Sequence, residues 1–162
     1  MNKRICLNRS VLDFMAAIIT PSSFVLEFGA GWSSRWFADR CGRLISIETN
    51  DRWWRLVSQD LRGAQAKYEL RGTTDNLPDD ADLVLIDSSE VLRFDHVQVG
   101  WDKVKPGGWL VFDDAQRERH AESVAFMSQF GVPKRLEWDG RHDIPEARER
   151  LALAWRKPGW IV

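Results

Sequence analysis

The sequence predicts an α/β fold: a doubly wound, mostly parallel seven-stranded sheet with an antiparallel last strand. Three observations carry this. Short strand-like runs alternate with segments of helical spacing from Phe24 to Phe130. The runs are apolar throughout instead of alternating, as strands buried on both faces must be. Four strand ends also carry acids, Glu27, Glu48, Asp87 and Asp113-Asp114, at the edge where open sheets of this kind bind ligands.

The elements follow in order. Ser10 can cap a helix through Ile19, with Val11, Phe14, Met15, Ile18 and Ile19 on one face, and Thr20-Pro21 stops it. Phe24 to Phe28 is the first strand. A helix is expected from about Ser33 to Cys41, with Gly42 as its C-cap. Leu44 to Ile47 forms the second strand and ends at Glu48. Asp51 is placed as the cap of the next helix, in which Trp53, Trp54, Leu56, Val57 and Leu61 keep helical spacing and which Gly63 closes. Lys67 to Leu70 is a weak third strand, followed by a polar turn from Gly72 to Asp80. The fourth strand, Leu83 to Ile86, ends at Asp87. Val91 to Val104 reads as helix in its second half, Pro106-Gly107-Gly108 as a turn, and Trp109 to Phe112 as the fifth strand. A helix from about Glu118 to Phe130 precedes two arms of a final antiparallel pair, Lys134 to Trp138 and Leu151 to Arg156. The charged stretch between them reads as a loop or short helix. Residues 1–162 are read as one domain, with an N-terminal helix (1–20), a cofactor-binding half (24–115) and a C-terminal half (116–162) that ends in the hairpin.

Composition narrows the function. The chain has 162 residues, 44% of them apolar, and a formal net charge of −1, so it can bury a core and carries no bulk positive field toward nucleic acid or an anionic membrane. Cys6 and Cys41 are two cysteines without a Cys-x-x-Cys spacing and read as reduced thiols in a cytoplasmic protein. Val11 to Ile19 is short and interrupted by Asp13, so neither a signal peptide nor a transmembrane helix is expected. The nine tryptophans are unusual; several belong to the core, and exposed ones are candidate ligand platforms.

The chemistry centres on Phe24 to Ser34, where an apolar run with an acid leads through Gly29-Ala30-Gly31 into a helix. Glycines let the backbone turn sharply and approach a ligand, and the helix N-terminus beyond leaves unpaired N–H groups. A bare structural turn and a dinucleotide site are the alternatives. The latter wants a third glycine where Ser34 stands. Glu48 lies about twenty residues past the first glycine, where a doubly wound fold puts a ribose-binding acid. Among bases, Asp87 sits at a strand end and His96 has a suitable ordinary pKa, whereas His120 and His142 stand in charged, solvated contexts.

Together these segments resemble the class I S-adenosylmethionine-dependent methyltransferases, whose Rossmann-like fold this sequence matches in order and spacing over roughly residues 10 to 157. Val25 to Ser34 resembles the family's first motif, Asp82-Leu83-Val84-Leu85-Ile86-Asp87 its fourth-strand motif, and Val104-Lys105-Pro106-Gly107-Gly108 its Pro-Gly-Gly turn. The resemblance implies an enzyme that binds S-adenosylmethionine through Glu27, Gly29, Ala30, Gly31, Ser33, Glu48 and Asp87. Glu27 would help hold the amino group, directly or through water, and Glu48 would accept from both ribose hydroxyls. Thr73 or Asp75 are weaker candidates at the adenine. The Asn/Asp-Pro-Pro-aromatic run of amino-methylating DNA enzymes is absent. Asp87, Asp113 and Asp114 look like the Mg²⁺ or Ca²⁺ ligands of metal-dependent O-methyltransferases, although Asp114 could instead cap the helix that follows. The implied reaction is methyl transfer to an oxygen, or alternatively a nitrogen, of a small-molecule or sugar acceptor. Other readings are a cofactor-binding module that works only with a partner protein or as a homo-oligomer, and a nucleic-acid methyltransferase. The last would need a basic face from Arg117, Arg119, Lys134, Arg135 and Arg141.

Overall fold

A computed structural model describes residues 5–64, 66–139 and 150–159. His142, Arg141 and most of the charged stretch before the last strand lie outside the described residues. The chain runs α1 (Arg9–Ile18), β1 (Phe24–Phe28), α2 (Trp32–Ala38), β2 (Arg43–Ile47), α3 (Asp51–Asp60), β3 (Lys67–Arg71), β4 (Ala81–Ile86), α4 (Arg93–Lys103), β5 (Val104–Phe112), α5 (Ala121–Ser128), β6 (Lys134–Glu137) and β7 (Leu151–Arg156). Short 3-10 turns, Glu90–Leu92 and Glu118–His120, lead into α4 and α5.

The seven strands form one sheet in the order β3-β2-β1-β4-β5-β7-β6. β1 to β5 pair in parallel, and β7 inserts antiparallel between β5 and β6. Strand order reverses between β1 and β4, which opens a crevice at their carboxyl ends. Alternation along each strand sorts side chains onto two faces. Val25, Leu44, Leu83, Leu85 and Val111 join Val11, Met15, Phe37 and Val57 of α1 to α3 in one core layer. Leu26, Phe28, Ile45, Val84, Ile86 and Leu110 join Val97, Trp101 and Met127 of α4 and α5 in the other.

Local chemistry departs from the expected caps. Asn50, not Asp51, caps α3: its side chain accepts from the amides of Arg52 and Trp53. Asp51 falls one position late and becomes the first helical residue. Ser10 lies inside α1, and its hydroxyl donates to the Glu137 carbonyl at 2.6 Å, tying α1 to β6. Helix α2 ends at Ala38, and Gly42 is needed for a different reason: a Cβ there would sit 2.5 Å from the Pro21 carbonyl oxygen. The Pro-Gly-Gly segment belongs to β5, which begins at Val104 and carries a register shift against β4. Trp101 and Trp155 are buried, and Trp53 is the exposed tryptophan among the described residues. Cys6 is exposed, Cys41 is buried, and no disulfide joins them. No described helix is long and apolar enough to cross a membrane.

The contact at Gly42 gives a test of the packing. Gly42→Ala forces apart the α2–β2 connection and the turn before β1, so urea unfolding should show a loss of roughly 1–3 kcal/mol, the usual cost of overpacking. An unchanged midpoint would show that the connection is loose.

Candidate active site

A cavity of about 520 Å³ opens at the carboxyl ends of β1, β2 and β4. That is a size typical of small-molecule sites. Its walls come from the turn Gly29 to Ser33, from Ile47 to Asn50 with Trp53, from Asp87 to Ser89 with Leu92 and His96, and from Ile5 to Leu7 ahead of α1.

The glycine turn is built around close approach. Gly29 has φ +96, and a Cβ on it would lie 2.3 Å from the Asp87 carbonyl oxygen, so only glycine lets this turn seat against the end of β4. The amides of Gly29 and Ala30 both donate to the Ile47 carbonyl. A Cβ on Gly31 would meet only Ser33 Oγ, at 3.9 Å, which leaves space above the turn.

Glu27 lies behind this turn, not in the cavity wall. Strand parity puts it on the α2 side, opposite Ser46 of β2. Its carboxylate is wholly buried and accepts from Ser33 Oγ and Ser34 Oγ at 2.5 Å and from Ser46 Oγ at 2.6 Å. Ser34 Oγ in turn accepts from the Gly31 amide. Glu27 therefore braces the turn through hydroxyls, and any effect on a ligand passes through Ser33 and the turn backbone. Burial pushes its carboxyl up to about 7; the three serine hydrogen bonds pull the other way and only partly offset it.

Glu48 reaches the cavity at the end of β2. Its Oε1 accepts from the Asn50 amide at 2.6 Å, and partial burial raises its pKa from the ordinary value. One carboxylate oxygen thus fixes the side chain while the group faces the cavity, which suits an acceptor for paired hydroxyls. Trp32 and Trp53 stand beside it with ring centroids 5.8 Å apart, edge to face. Thr73 and Asp75 do not line the cavity.

Asp87 sits at the end of β4 with its side chain 27% exposed. Burial raises its pKa to about 6, opposed first by the nearby Arg93 charge. His96, in the first turn of α4, also lines the cavity. Its Nδ1 is 2.8 Å from Ser88 Oγ, its ring packs 4.8 Å from Phe28, and burial lowers its pKa by disfavouring the charged form. Asp87 and His96 are therefore brought to one wall.

The metal expectation finds no support. Among the described residues no three His, Cys, Asp or Glu side chains meet as a metal site. Asp87, Asp113 and Asp114 do gather at the strand ends, but arginines occupy them. Arg93 Nη2 lies 2.9 Å from Asp87, Arg117 Nη2 lies 2.6 Å from Asp114, and Arg150 reaches both Asp113 and Asp114 at 3.5–3.6 Å. These guanidinium groups neutralise several of the carboxylate oxygens that a hard cation would need. Asp113 is wholly buried, and desolvation with the Asp87 and Asp114 charges holds it well above the ordinary carboxylate range. Nor does Asp114 cap a helix: it has φ +57, and its backbone carbonyl accepts from the Arg117 amide. His120, expected in solvent, is buried on Phe112 with Nδ1 against the Asp114 carbonyl at 3.0 Å, because the 3-10 turn folds it back under β5.

Arg93 is a site residue that no sequence pattern singles out. Its guanidinium donates to the Ser88 carbonyl, the Asp113 carbonyl and Asp87 Oδ1 at 2.6–2.9 Å, joining the ends of β4 and β5. Its only sequence signal is a position six residues past the strand-four acid, at the start of a helix.

The strand order, the antiparallel end and the site at the reversal define the Rossmann-like methyltransferase fold. Neither a protein-family model nor a curated protein matches the sequence. Solved structures do share the fold. The tRNA (m1A58) methyltransferase TrmI of Aquifex aeolicus superposes with TM-score 0.74 at 15% identity over 98% of this chain and 72% of that one. A SAM-dependent O-methyltransferase of Thermotoga maritima gives 0.73 at 13% over 99% and 68%. An O-methyltransferase of Bacillus cereus, solved in complex with SAH, gives 0.70 at 16% over 91% and 78%.

The buried carboxyl of Glu27 sets a pH test. Its folded pKa is above the ordinary 4.5, so its protonated form favours folding, fully so below about 4.5, and that contribution is lost as pH rises through about 7. Glu27→Gln carries no charge at either end. Relative to wild type, the variant should gain up to roughly 3 kcal/mol in urea stability between pH 4.5 and 8. A difference independent of pH would show that Glu27 does not titrate in this range.

Proposed function

We propose that the protein binds S-adenosylmethionine and transfers its methyl group to an oxygen, or alternatively a nitrogen, of a small-molecule or sugar acceptor. The observation that carries the reading is the convergence of three strand ends on one cavity: a glycine turn with open space above Gly31, the Glu48 carboxylate, and Asp87 with His96. The cavity matches the cofactor in donor set. It offers a carboxylate for two hydroxyls, aromatic faces at Trp32 and Trp53 for a base, and a glycine-lined strip for an extended chain. The same fold in methyltransferases, one of them a complex with SAH, supports the choice.

When bound, S-adenosylmethionine supplies an activated methyl on a sulfonium. The chain's own part is to hold the acceptor in line and to take its proton. Asp87, ionised above about pH 6, is the base on this reading. In the tautomer whose Nδ1–H donates to Ser88 Oγ, the other His96 ring nitrogen is a second acceptor on the same wall. Arg93 holds the Asp87 carboxylate in place and keeps it charged.

A nucleic-acid acceptor draws support from the likeness to the tRNA enzyme, but the basic residues it would need are paired or packed among the described residues. Arg117 and Arg119 pair with Glu90, Arg135 pairs with Glu137, and Lys134 lies over the Phe14 ring.

Calorimetry should detect S-adenosylhomocysteine binding in the micromolar range, and Glu48→Ala should weaken it about tenfold or more, the loss of a charged hydrogen-bond acceptor. Absence of binding at millimolar ligand would end the proposal. Turnover, followed as S-adenosylhomocysteine released with a panel of phenols, sugars and amines, should rise with pH through about 6 as Asp87 ionises. Asp87→Asn should remove that limb and slow turnover by roughly 10²–10⁴. If the limb survives in the variant, another group, His96 first, is the base.

A further inference from the structure

One wall of the cavity comes from the segment before α1, far in sequence from the motifs that form the other walls. Ile5, Cys6 and Leu7 line the cavity, and Leu7 is 1% exposed. Nothing in their sequence fixes this segment across the strand ends. Leu7 packs into the core, and a polar tie comes from Arg150, the residue just before β7. Its Nη1 donates to the Cys6 carbonyl at 2.6 Å, and its own carbonyl accepts from Asn8 Nδ2 at 2.7 Å. Asn8 is wholly buried, so this second bond is shielded from water. The same guanidinium faces Asp113 Oδ2 at 3.5 Å and Asp114 Oδ1 at 3.6 Å. These two carboxylates end β5 and cannot move without the sheet. Arg150 thus spans from the rigid strand ends to the backbone of the cavity wall.

We propose that Arg150 is a positioning residue for the candidate active site: held by Asp113 and Asp114, it clasps residues 5–8 in place as one wall of the ligand cavity. A simple surface ion pair would explain neither the reciprocal backbone bonds on both sides of Arg150 nor the burial of Asn8 and of both acids. A charged donor to a backbone carbonyl is among the stronger hydrogen bonds, and its removal leaves that carbonyl and two acids with one partner fewer. Lysine can keep the attraction to the acids but cannot span carbonyl and carboxylates with a planar fork. The proposal rests on the cofactor reading only for the identity of the ligand that the wall borders.

Hydrogen–deuterium exchange on the full chain tests it without any ligand. Arg150→Ala should speed exchange of the amides in residues 5–8 about tenfold or more, Arg150→Lys less, while peptides covering β1 and β4 keep their wild-type rates. Unchanged exchange in residues 5–8 would overturn the clasp, as would an equal acceleration across the sheet, which signals general destabilisation. Asp114→Asn should reproduce part of the local effect. In parallel, S-adenosylhomocysteine should slow alkylation of Cys6 in wild type and protect it less in Arg150→Ala; equal protection in both would overturn the clasp as a wall of the ligand site. If wild type binds no S-adenosylhomocysteine, the cofactor reading fails, and the exchange result still decides the clasp on its own.

Discussion

The backbone of Gly29 passes so close to the Asp87 carbonyl that no other residue fits between them, and most of the site depends on that contact. It joins the carboxyl ends of β1 and β4 where the strand order reverses, so the crevice of the fold becomes a defined floor. With the turn pressed against β4, the start of α2 comes back over β1, and Ser33 and Ser34 reach the Glu27 carboxylate from above while Ser46 meets it from the neighbouring strand. A buried carboxyl is costly without partners. Here three hydroxyl donors satisfy it, and one of those hydroxyls also holds the Gly31 amide. Shape and polarity of the turn are thus set by one network behind the wall, which leaves the cavity side of the glycines free for a ligand.

A second constraint is the crowding of acids at the strand ends. Asp87, Asp113 and Asp114 would repel one another strongly if all were charged and unpaired. Arginines from three separate places answer this: Arg93 opening α4, Arg117 between β5 and α5, and Arg150 before β7. The same three carboxylates read as a metal cluster when only their own positions are known. What decides between the two is the set of cations brought in by the rest of the chain. Arg93 spends much of its donor capacity on backbone carbonyls, so it acts as a cross-tie between strands as much as a counter-charge. Asp113, with Oδ1 buried and unpartnered and its pKa raised, takes the weakest share of this neutralisation.

Strand and helix placement is legible because parallel strands buried on both faces leave mainly apolar runs, as β1, β2 and β4 do apart from Glu27, Arg43, Ser46 and Asp82. The turn at Gly29 and the acids Glu48 and Asp87 were legible for a related reason: they lie at fixed offsets from those runs. Errors came where neighbouring residues compete for one role. Asn50 and Asp51 can both cap α3, and the choice is made by the loop leaving β2, where the Asn50 amide is already bound to Glu48. The position of Glu27 at the turn is legible, whereas its serine partners are not, because they lie in two other elements. His120 looked solvated from its charged neighbours, yet its ring packs on Phe112, a contact that no local pattern encodes.

The two sides of the cavity differ in how they are made. One side uses residues 29–33 and 47–53, contiguous stretches whose shape follows from the strand-to-helix turns themselves. The other uses residues 5–7, tied down by Arg150 across a separation of 144 residues. That tie needs β5 and β7 in register, because Arg150 directly precedes β7 and the two acids it faces follow β5. The glycine turn and Glu48 are set by contacts among β1, β2 and β4, while the opposite wall depends on agreement between residues 5–8 and Arg150. Substitutions at residues 5–7 or at Arg150 therefore alter this wall of the cavity while leaving the contacts of the glycine turn in place.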